Sequence, residues 1–397
     1  MSSDGRRGGP DQNRFCWAPW GSLALHPNGE WRVCAVSTKG LRGFDPASSD
    51  YVLDQDLNDL REKFLTGEKD ASCRSCWSKQ ALGGPSHRDF INKRLAGASL
   101  EDRRLEIRRL DLALGSICNL RCVMCRPQYS TRWAQDAKSL LEKDPQFWAP
   151  LFGSDLKQSS SSADVDQIIE MIATLPSLEH LELKGGECLL HPRIEDVLTA
   201  IRQKSSEKKL SFQLISNGTV IKDPLLKLID DIDRSSFFVS VDGTGDVFRY
   251  IRSYSPEFSH FEAGLKKIER ALVRSELYMH FTISALNVHH IPEFVSWFDS
   301  FNEAGRWTRS WGLVAYPLEL SLQSLSSDFL KVCLNRCEHI PDPRIRSLIA
   351  SVQSAEPQGK TFHPRLKKYL QDLDEIRSTN FRKCFPELAA SIDREKP

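Results

Sequence analysis

Short runs of apolar residues alternate with longer segments of helical period through the middle of the chain. The strand-like runs are 109–114, 178–187, 210–219, 236–243, 278–287 and, as a possible sixth, 311–320. Helical patterns lie between them at 164–175, 192–204, 223–230, 258–274 and 291–301. Strands that alternate with helices predict right-handed βαβ units and a parallel sheet. The sequence therefore predicts an α/β fold, a partial (β/α)6 TIM-like barrel over residues 105–320.

The segments on either side of this barrel have other patterns. Residues 15–40 predict a small β-hairpin, because Asn28-Gly29 is a strong type I′ turn signal between two strand-like segments. Residues 55–82 predict helix, broken at Gly67. We therefore expect a small hairpin-and-helix domain at 15–100 and a helical C-terminal extension at 321–397. Residues 1–14 are polar and predict a disordered tail.

Composition and charge exclude several classes of protein. Lys and Arg number 54 and Asp and Glu 53, so there is no general nucleic-acid or membrane surface. No apolar run approaches the roughly 20 residues of a membrane span, and the polar N-terminus does not resemble a signal peptide. These features predict a cytoplasmic protein. In that reducing compartment, 11 cysteines indicate metal ligation rather than disulfides.

Three cysteines follow the first barrel strand in the stretch ICNLRCVMC. Cys118, Cys122 and Cys125 have the spacing CxxxCxxC, and a compact loop can point three soft thiolates at one iron–sulfur cluster. Three ligands on a four-iron cluster leave one iron open, as a catalytic metal requires. A zinc ion completed by a distant ligand, or three buried apolar cysteines, are the alternatives that the spacing leaves open.

Polar residues and glycines follow the next four strands. Because chemistry in such barrels lies at the carboxyl ends of the strands, these residues are candidates for one binding site. Each is also an ordinary cap or turn residue, so none is specific by itself. The candidates are Lys184, Gly185, Gly186 and Glu187 after the second strand, Ser216 and Asn217 after the third, Ser240 and Asp242 at the fourth, and Ser284 and Asn287 at the fifth.

The cysteine motif after one strand and KGGE after the next resemble the radical S-adenosylmethionine (radical SAM) superfamily, over about residues 107–320. The resemblance implies that Cys118, Cys122 and Cys125 hold a 4Fe–4S cluster whose open iron binds S-adenosylmethionine. An electron from the reduced cluster then cleaves this cofactor to a 5′-deoxyadenosyl radical, which abstracts a substrate hydrogen. The resemblance also implies an external one-electron reductant such as a flavodoxin or ferredoxin.

The resemblance assigns cofactor contacts residue by residue. Met124 stands where the family usually has an aromatic residue, so its thioether would contact the adenine. Gly185, Gly186 and Glu187 would face the methionine ammonium, Ser216 and Asn217 the ribose, Ser240 and Asp242 the ribose or the methionine, and Arg252 the carboxylate, with Arg249 as its rival and Ser284 as a further contact.

Four more cysteines lie upstream of the barrel. Cys16 and Cys34 bracket the predicted hairpin, and Cys73 and Cys76 form a CxxC on a predicted loop after the helical stretch. Four thiolates can hold a structural zinc or complete an iron–sulfur cluster. Their spacing alone does not choose between the two.

A second resemblance concerns this upstream segment. C-x12-G-x4-C followed by CxxC, with FCWAPW near the start and FPEL at 385–388, resembles the twitch domain, the shortened form of the SPASM domain. This implies a second, auxiliary 4Fe–4S cluster on Cys16, Cys34, Cys73 and Cys76 that transfers electrons. It also implies a peptide or protein substrate, with a sugar or other small metabolite as the alternative.

The remaining cysteines have no clear role in the sequence. Cys188 follows the GGE segment and is either a hydrogen donor at the site or a buried apolar residue. Cys333, Cys337 and Cys384 offer too few ligands for a third cluster. A different class of protein, a non-catalytic zinc-binding interaction protein, is the competing hypothesis, and it predicts a colourless protein.

Overall fold

The computed structural model describes residues 14–41, 44, 55–81, 86–96, 105–152, 164–345 and 359–394. Eight strands form one sheet in the order β2-β1-β3-β4-β5-β6-β7-β8. The strands are β1 (Ser22–Leu25), β2 (Trp31–Arg32), β3 (Arg109–Ala113), β4 (His180–Lys184), β5 (Ser211–Ser216), β6 (Ser235–Ser240), β7 (Glu276–Ile283) and β8 (Trp307–Leu313). All neighbours are parallel except β1 and β2, which form an antiparallel hairpin.

Strands β3 to β8 confirm the predicted partial barrel. The register aligns apolar residues across the sheet, for example Leu110 with Leu181 and Leu181 with Phe212. The last strand differs from its predicted bounds, since it begins at Trp307 and ends at Leu313 rather than running from 311 to 320. Pro317 has no N–H to donate to a ladder, so the chain leaves the sheet before it.

The N-terminal hairpin extends this sheet. Strand β1 pairs in parallel with β3, with Leu23 opposite Leu110 and Leu25 opposite Leu112, and all four of its residues are buried. A turn lies at the predicted place, but it is not of type I′, which needs positive φ at both Asn28 and Gly29. Of these two residues only Gly29 has positive φ, at 81°, and its N–H donates to His26 O at 2.9 Å, while His26 N donates to Glu30 O at 2.9 Å. The hairpin therefore shares the barrel's sheet, and the predicted division into domains stays a prediction.

Helices cover the sheet in the predicted alternating order. In α8 the buried residues Ile194, Val197, Leu198 and Ile201 have helical spacing and form an apolar stripe. The helices are α1 (Ala18–Gly21), α2 (Gln55–Thr66), α3 (Arg74–Ala81), α4 (His87–Leu95), α5 (Thr131–Lys143), α6 (Pro145–Phe152), α7 (Val165–Thr174), α8 (Ile194–Glu207), α9 (Asp223–Asp230), α10 (Gly245–Arg252), α11 (Phe258–Ala271), α12 (Ile291–Phe301), α13 (Ser327–Cys337), α14 (Gly359–Arg377), α15 (Phe381–Cys384) and α16 (Pro386–Arg394). The helical C-terminal extension is thus present.

We expected the CxxC to lie on a loop, but it does not. Cys73 ends a short 3-10 turn, Ala71–Cys73, and Cys76 lies in the first turn of α3. Asp70 caps the 3-10 turn, because its carboxylate accepts a hydrogen bond from Ser72 N at 2.8 Å. The cap lets helical structure begin before the first cysteine of the pair.

Within the part of the chain that the structure describes, no helix has both the length and the apolar character that crossing a membrane requires.

Candidate active site

The loop that carries Cys118, Cys122 and Cys125 leaves the carboxyl end of β3 and is held by its surroundings. Ser130 Oγ donates to Leu120 O at 2.7 Å, and Trp133 Nε1 donates to Cys122 O at 2.7 Å. Both donors lie at the start of α5 or just before it. These bonds satisfy the loop's carbonyls from behind and fix its path.

All three cysteines line one cavity of about 450 Å³ at the carboxyl ends of the barrel strands. Most of the predicted cofactor contacts line the same cavity. They are Met124, Gly185, Gly186, Ser216, Asn217, Ser240, Asp242 and Arg252, together with Lys184. The structure thus brings together residues that lie up to 134 positions apart, from Cys118 to Arg252.

The glycine pair packs directly against the cysteine loop. Gly185 has φ 143°, and a Cβ on Gly186 would lie 2.4 Å from Ile117 O. Gly186 N donates to Gly115 O at 3.0 Å, and Glu187 N donates to Ile117 O at 2.7 Å. A side chain at position 186 would force these two loops apart, so glycine is required there by packing.

Glu187 lies outside the lining of this cavity. It is 1% exposed, and its carboxylate accepts hydrogen bonds from Asn217 N at 2.7 Å and from Ser216 Oγ at 3.0 Å. Burial raises the pKa of this carboxyl group above that of an ordinary glutamate. In this structure Glu187 ties the end of β4 to the end of β5, and its contact with the methionine ammonium stays a prediction.

Ser284 also lies outside the cavity lining and is fully buried. Its hydroxyl donates to Asn287 Oδ1 at 3.0 Å, and Asn287 Nδ2 donates to Asp242 O at 3.0 Å. The pair therefore holds the backbone beneath Asp242. A direct contact of Ser284 with the cofactor stays a prediction.

Arg252 reaches the cavity from the C-terminal end of α10. Its Nη1 donates to Asp242 Oδ2 at 2.9 Å. Its Nε is buried and has no hydrogen-bond partner among the described residues. The rival Arg249 instead bonds Asp246 and Glu257 at the surface. A guanidinium group that lines a cavity beside three thiols suits a ligand that carries a carboxylate.

Burial opposes ionisation of all three thiols and raises the pKa of each. Burial raises the pKa of Cys122 to about 11 and, with the nearby Cys122 thiol, that of Cys125 to about 12. Cys122 Sγ donates to Arg252 O at 3.7 Å. Because metals bind thiolates, loading this site must release protons.

An ion network lies inside the barrel below the cavity. Arg109 Nη2 is 2.6 Å from Asp111 Oδ1 and 2.8 Å from Glu182 Oε2. Lys184 Nζ pairs with the same two carboxylates. Two positive and two negative charges thus balance, and only Lys184 of the four lines the cavity.

The four upstream cysteines line a second, smaller cavity between the hairpin and helices α3 and α4. The rings of Phe64 and Trp77 line it. The central guanidinium carbon of Arg88 lies 4.4 Å from the centre of the Trp77 ring. Burial raises the pKa of Cys34 to about 12 and that of Cys73 to about 11. The structure thus gathers the predicted set Cys16, Cys34, Cys73 and Cys76 around one space.

Among the described residues, no group of three or more His, Cys, Asp or Glu side chains has the geometry to hold a single metal ion.

None of the remaining cysteines lines either cavity. Cys188 is buried and donates to Ile215 O at 3.6 Å, as a small apolar residue with a weak donor would. Cys333 and Cys337 are buried on α13, and Cys384 ends α15.

Sequence reasoning missed one wall of the main cavity. Tyr129, Thr282 and the segment 313–316 after β8 also line it. The rule that chemistry lies at strand ends would have found segment 313–316. The predicted sixth strand ran to 320, however, and so placed these residues inside a strand.

Comparisons with known proteins agree with this geometry. Residues 112–298 match the model of the radical SAM superfamily. The central part of the barrel therefore matches a radical SAM domain over these residues. No curated protein sequence gave a match.

Several solved structures are similar over part of their length. The chain is 17% identical to anSMEcpe with bound AdoMet, with a TM-score of 0.40, covering 57% of this chain and 58% of that one. It is 13% identical to SuiB of Streptococcus suis, with a TM-score of 0.38, covering 69% of this chain and 48% of that one. SuiB bound to its precursor peptide SuiA gives 12% identity, a TM-score of 0.35, and coverage of 71% and 51%. The chain thus spans about half the length of these proteins.

Proposed function

We propose that the protein cleaves S-adenosylmethionine reductively at a 4Fe–4S cluster held by Cys118, Cys122 and Cys125, and modifies a peptide or protein substrate. When bound, the cluster supplies the electron that releases a 5′-deoxyadenosyl radical, which abstracts a substrate hydrogen. The chain's own residues bind, orient and shield these groups.

One observation carries the proposal: the three thiols share a cavity with the Gly185–Gly186 loop and with Arg252. Three soft donors fit an under-ligated cluster. Arg252 offers a charged donor to a carboxylate. The glycine loop lets a ligand approach backbone groups that side chains would cover. These are the features that an amino-acid-bearing cofactor needs.

We further propose that Cys16, Cys34, Cys73 and Cys76 hold an auxiliary 4Fe–4S cluster. Four thiolates can ligate every iron of such a cluster, which leaves no position for a substrate. Electron transfer then fits better than substrate binding. The apolar rings around the cavity would exclude water from the cluster and so tune its potential.

The substrate class follows from the resemblance to twitch-domain enzymes. The cavity's wall after β8 adds a physical reason. Tyr316 lines the cavity yet is 40% exposed, and Leu318 beside it is 38% exposed. Exposed apolar side chains at a cavity rim suit a substrate that remains largely outside while one of its groups enters. An external one-electron donor such as a flavodoxin or ferredoxin would reduce the catalytic cluster.

Anaerobic purification and reconstitution test the proposal. We expect a brown protein with about eight irons per chain, which releases 5′-deoxyadenosine when a reductant and S-adenosylmethionine are added. A Cys122→Ser variant is the matched control and should release none. A colourless protein that holds zinc would instead support the non-catalytic interaction protein.

A further inference from the structure

The C-terminal helix α14 reaches the back of the cysteine loop. Tyr369, which is 2% exposed, donates its hydroxyl to Val123 O at 3.1 Å. Val123 lies between the second and third cysteines, and its N–H donates to Ile251 O at 2.7 Å. The backbone N–H and C=O of Val123 are therefore both hydrogen-bonded, the N–H to the barrel and the C=O to α14.

A second contact from α14 lies at the other end of the loop. Arg377 Nε donates to Asp136 Oδ2 at 2.8 Å, and Arg121 Nη1, from between the first two cysteines, donates to Asp136 Oδ1 at 2.8 Å. Asp136 is 5% exposed, and each of its carboxylate oxygens accepts a hydrogen bond from one of the two arginines. The carboxylate thus joins α14 to the loop.

The same arginine supports the loop through an aromatic ring. The Arg377 guanidinium lies 4.9 Å from the centre of the Trp133 ring, and Trp133 is the donor to Cys122 O. Arg377 Nη1 also donates to Ser253 Oγ at 3.3 Å, next to Arg252. One side chain therefore contacts the supports of both the loop and the arginine of the cavity.

We propose that Tyr369 and Arg377 are positioning residues of the catalytic cluster, so that α14 forms part of the cluster-binding site. This rests on the proposed function, since it assigns the loop a cluster. The contacts hold the Val123 carbonyl and the Arg121 side chain in place before metal binds. They also support the Trp133 ring, which bonds the Cys122 carbonyl. A loop fixed in this way loses less conformational freedom on metal binding and retains its cluster longer.

The test is the rate of iron release to an Fe(II) chelator from the reconstituted full-length protein under anaerobic conditions. Two phases are expected, one for each cluster, and a Cys118→Ser chain identifies the phase that belongs to the loop. Tyr369→Phe removes one neutral hydrogen bond and should speed that phase by about two- to tenfold. Arg377→Lys should speed it at least as much, because lysine cannot reproduce the forked contact.

Tyr278→Phe is the matched control. It removes a tyrosine hydroxyl that bonds Glu276 at 2.9 Å on β7, away from both cysteine sets, and should change neither phase. The phase that belongs to the four upstream cysteines should also keep its rate in Tyr369→Phe. If Tyr369 and Arg377 only stabilised the fold, their variants would change the rates of both phases and also the melting temperature of the iron-free protein.

The outcomes separate this inference from the proposed function. If the wild-type loop takes up iron and Tyr369→Phe releases it at the wild-type rate, the positioning role is wrong while the proposed function stands. If the wild-type loop takes up no iron, both fall. Should Arg377→Lys fail to fold, the isosteric Tyr369→Phe decides alone.

Discussion

Replacing Gly186 by alanine should disrupt the candidate site through backbone packing alone. The added Cβ would lie 2.4 Å from Ile117 O and 2.9 Å from Ile117 C. These are backbone atoms of the segment that leads into Cys118, so they cannot move aside without moving the loop. The substitution adds no charge and removes no side-chain donor, which isolates the packing effect.

The size of the effect follows from two costs. Forcing extra volume into a packed site costs about 1–3 kcal/mol. Separating the loops also strains the bonds from Gly186 N to Gly115 O, at 3.0 Å, and from Glu187 N to Ile117 O, at 2.7 Å. Each such bond is worth about 0.5–1.5 kcal/mol. We therefore expect the iron-free protein to lose about 2–6 kcal/mol of unfolding free energy.

Thermal and urea unfolding of the iron-free protein measure the loss, and equilibrium dialysis with S-adenosylmethionine measures binding after reconstitution. Gly40→Ala is the matched control, since its Cβ would make an ordinary contact at 3.6 Å with the Glu30 side chain; its stability should be unchanged or slightly higher. Wild-type stability and cofactor affinity in Gly186→Ala would refute the reasoning that the two loops require glycine there.

Three further predictions concern Glu182, Cys73 and Cys188. Burial opposes ionisation of Glu182, but Lys184 and Arg109 outweigh it and lower its pKa. Its charge therefore stabilises the folded protein above about pH 4.5, and this contribution is lost as the pH falls. In Glu182→Gln, the unfolding free energy, measured by circular dichroism, should depend less steeply on pH below that value. An unchanged slope would contradict the network. Cys73→Ala should reduce iron from about eight to about four per chain and retain 5′-deoxyadenosine release without substrate, whereas full iron content would exclude Cys73 as a ligand. Cys188→Ala should leave cofactor cleavage intact at a cost of about 1 kcal/mol in stability, and loss of cleavage would give this thiol a role at the site.

The strands of the barrel could be predicted because their order is a local property of the chain. Each strand from β3 to β7 is an apolar run followed by a polar or glycine-rich end, and the cysteine spacing is contained within eight residues. Strand β1 was predicted as part of the hairpin, but its pairing with β3 was not, because β3 lies far along the chain. Its place in the sheet depends on tertiary packing that no short window reveals.

The hydrogen bonds that hold the cysteine loop also could not be predicted from the sequence. Tyr369 and Val123 are 246 residues apart, and nothing in the pattern of α14 indicates a hydrogen bond to the cysteine loop. For Glu187 the sequence does indicate a contact, but not the one that the structure shows. Its motif indicates a cofactor contact, yet its carboxylate is satisfied by Ser216 and Asn217. A motif identifies which residues meet, but the hydrogen bonds that they make depend on the folded surroundings.

The most direct measurement is anaerobic quantification of 5′-deoxyadenosine from the reconstituted wild-type protein with dithionite and S-adenosylmethionine, beside the Cys122→Ser variant. We expect the wild-type protein to release it, with at least one equivalent of cofactor cleaved, and the variant to release none. Wild-type protein that carries its full iron and yet neither binds nor cleaves S-adenosylmethionine would contradict this expectation.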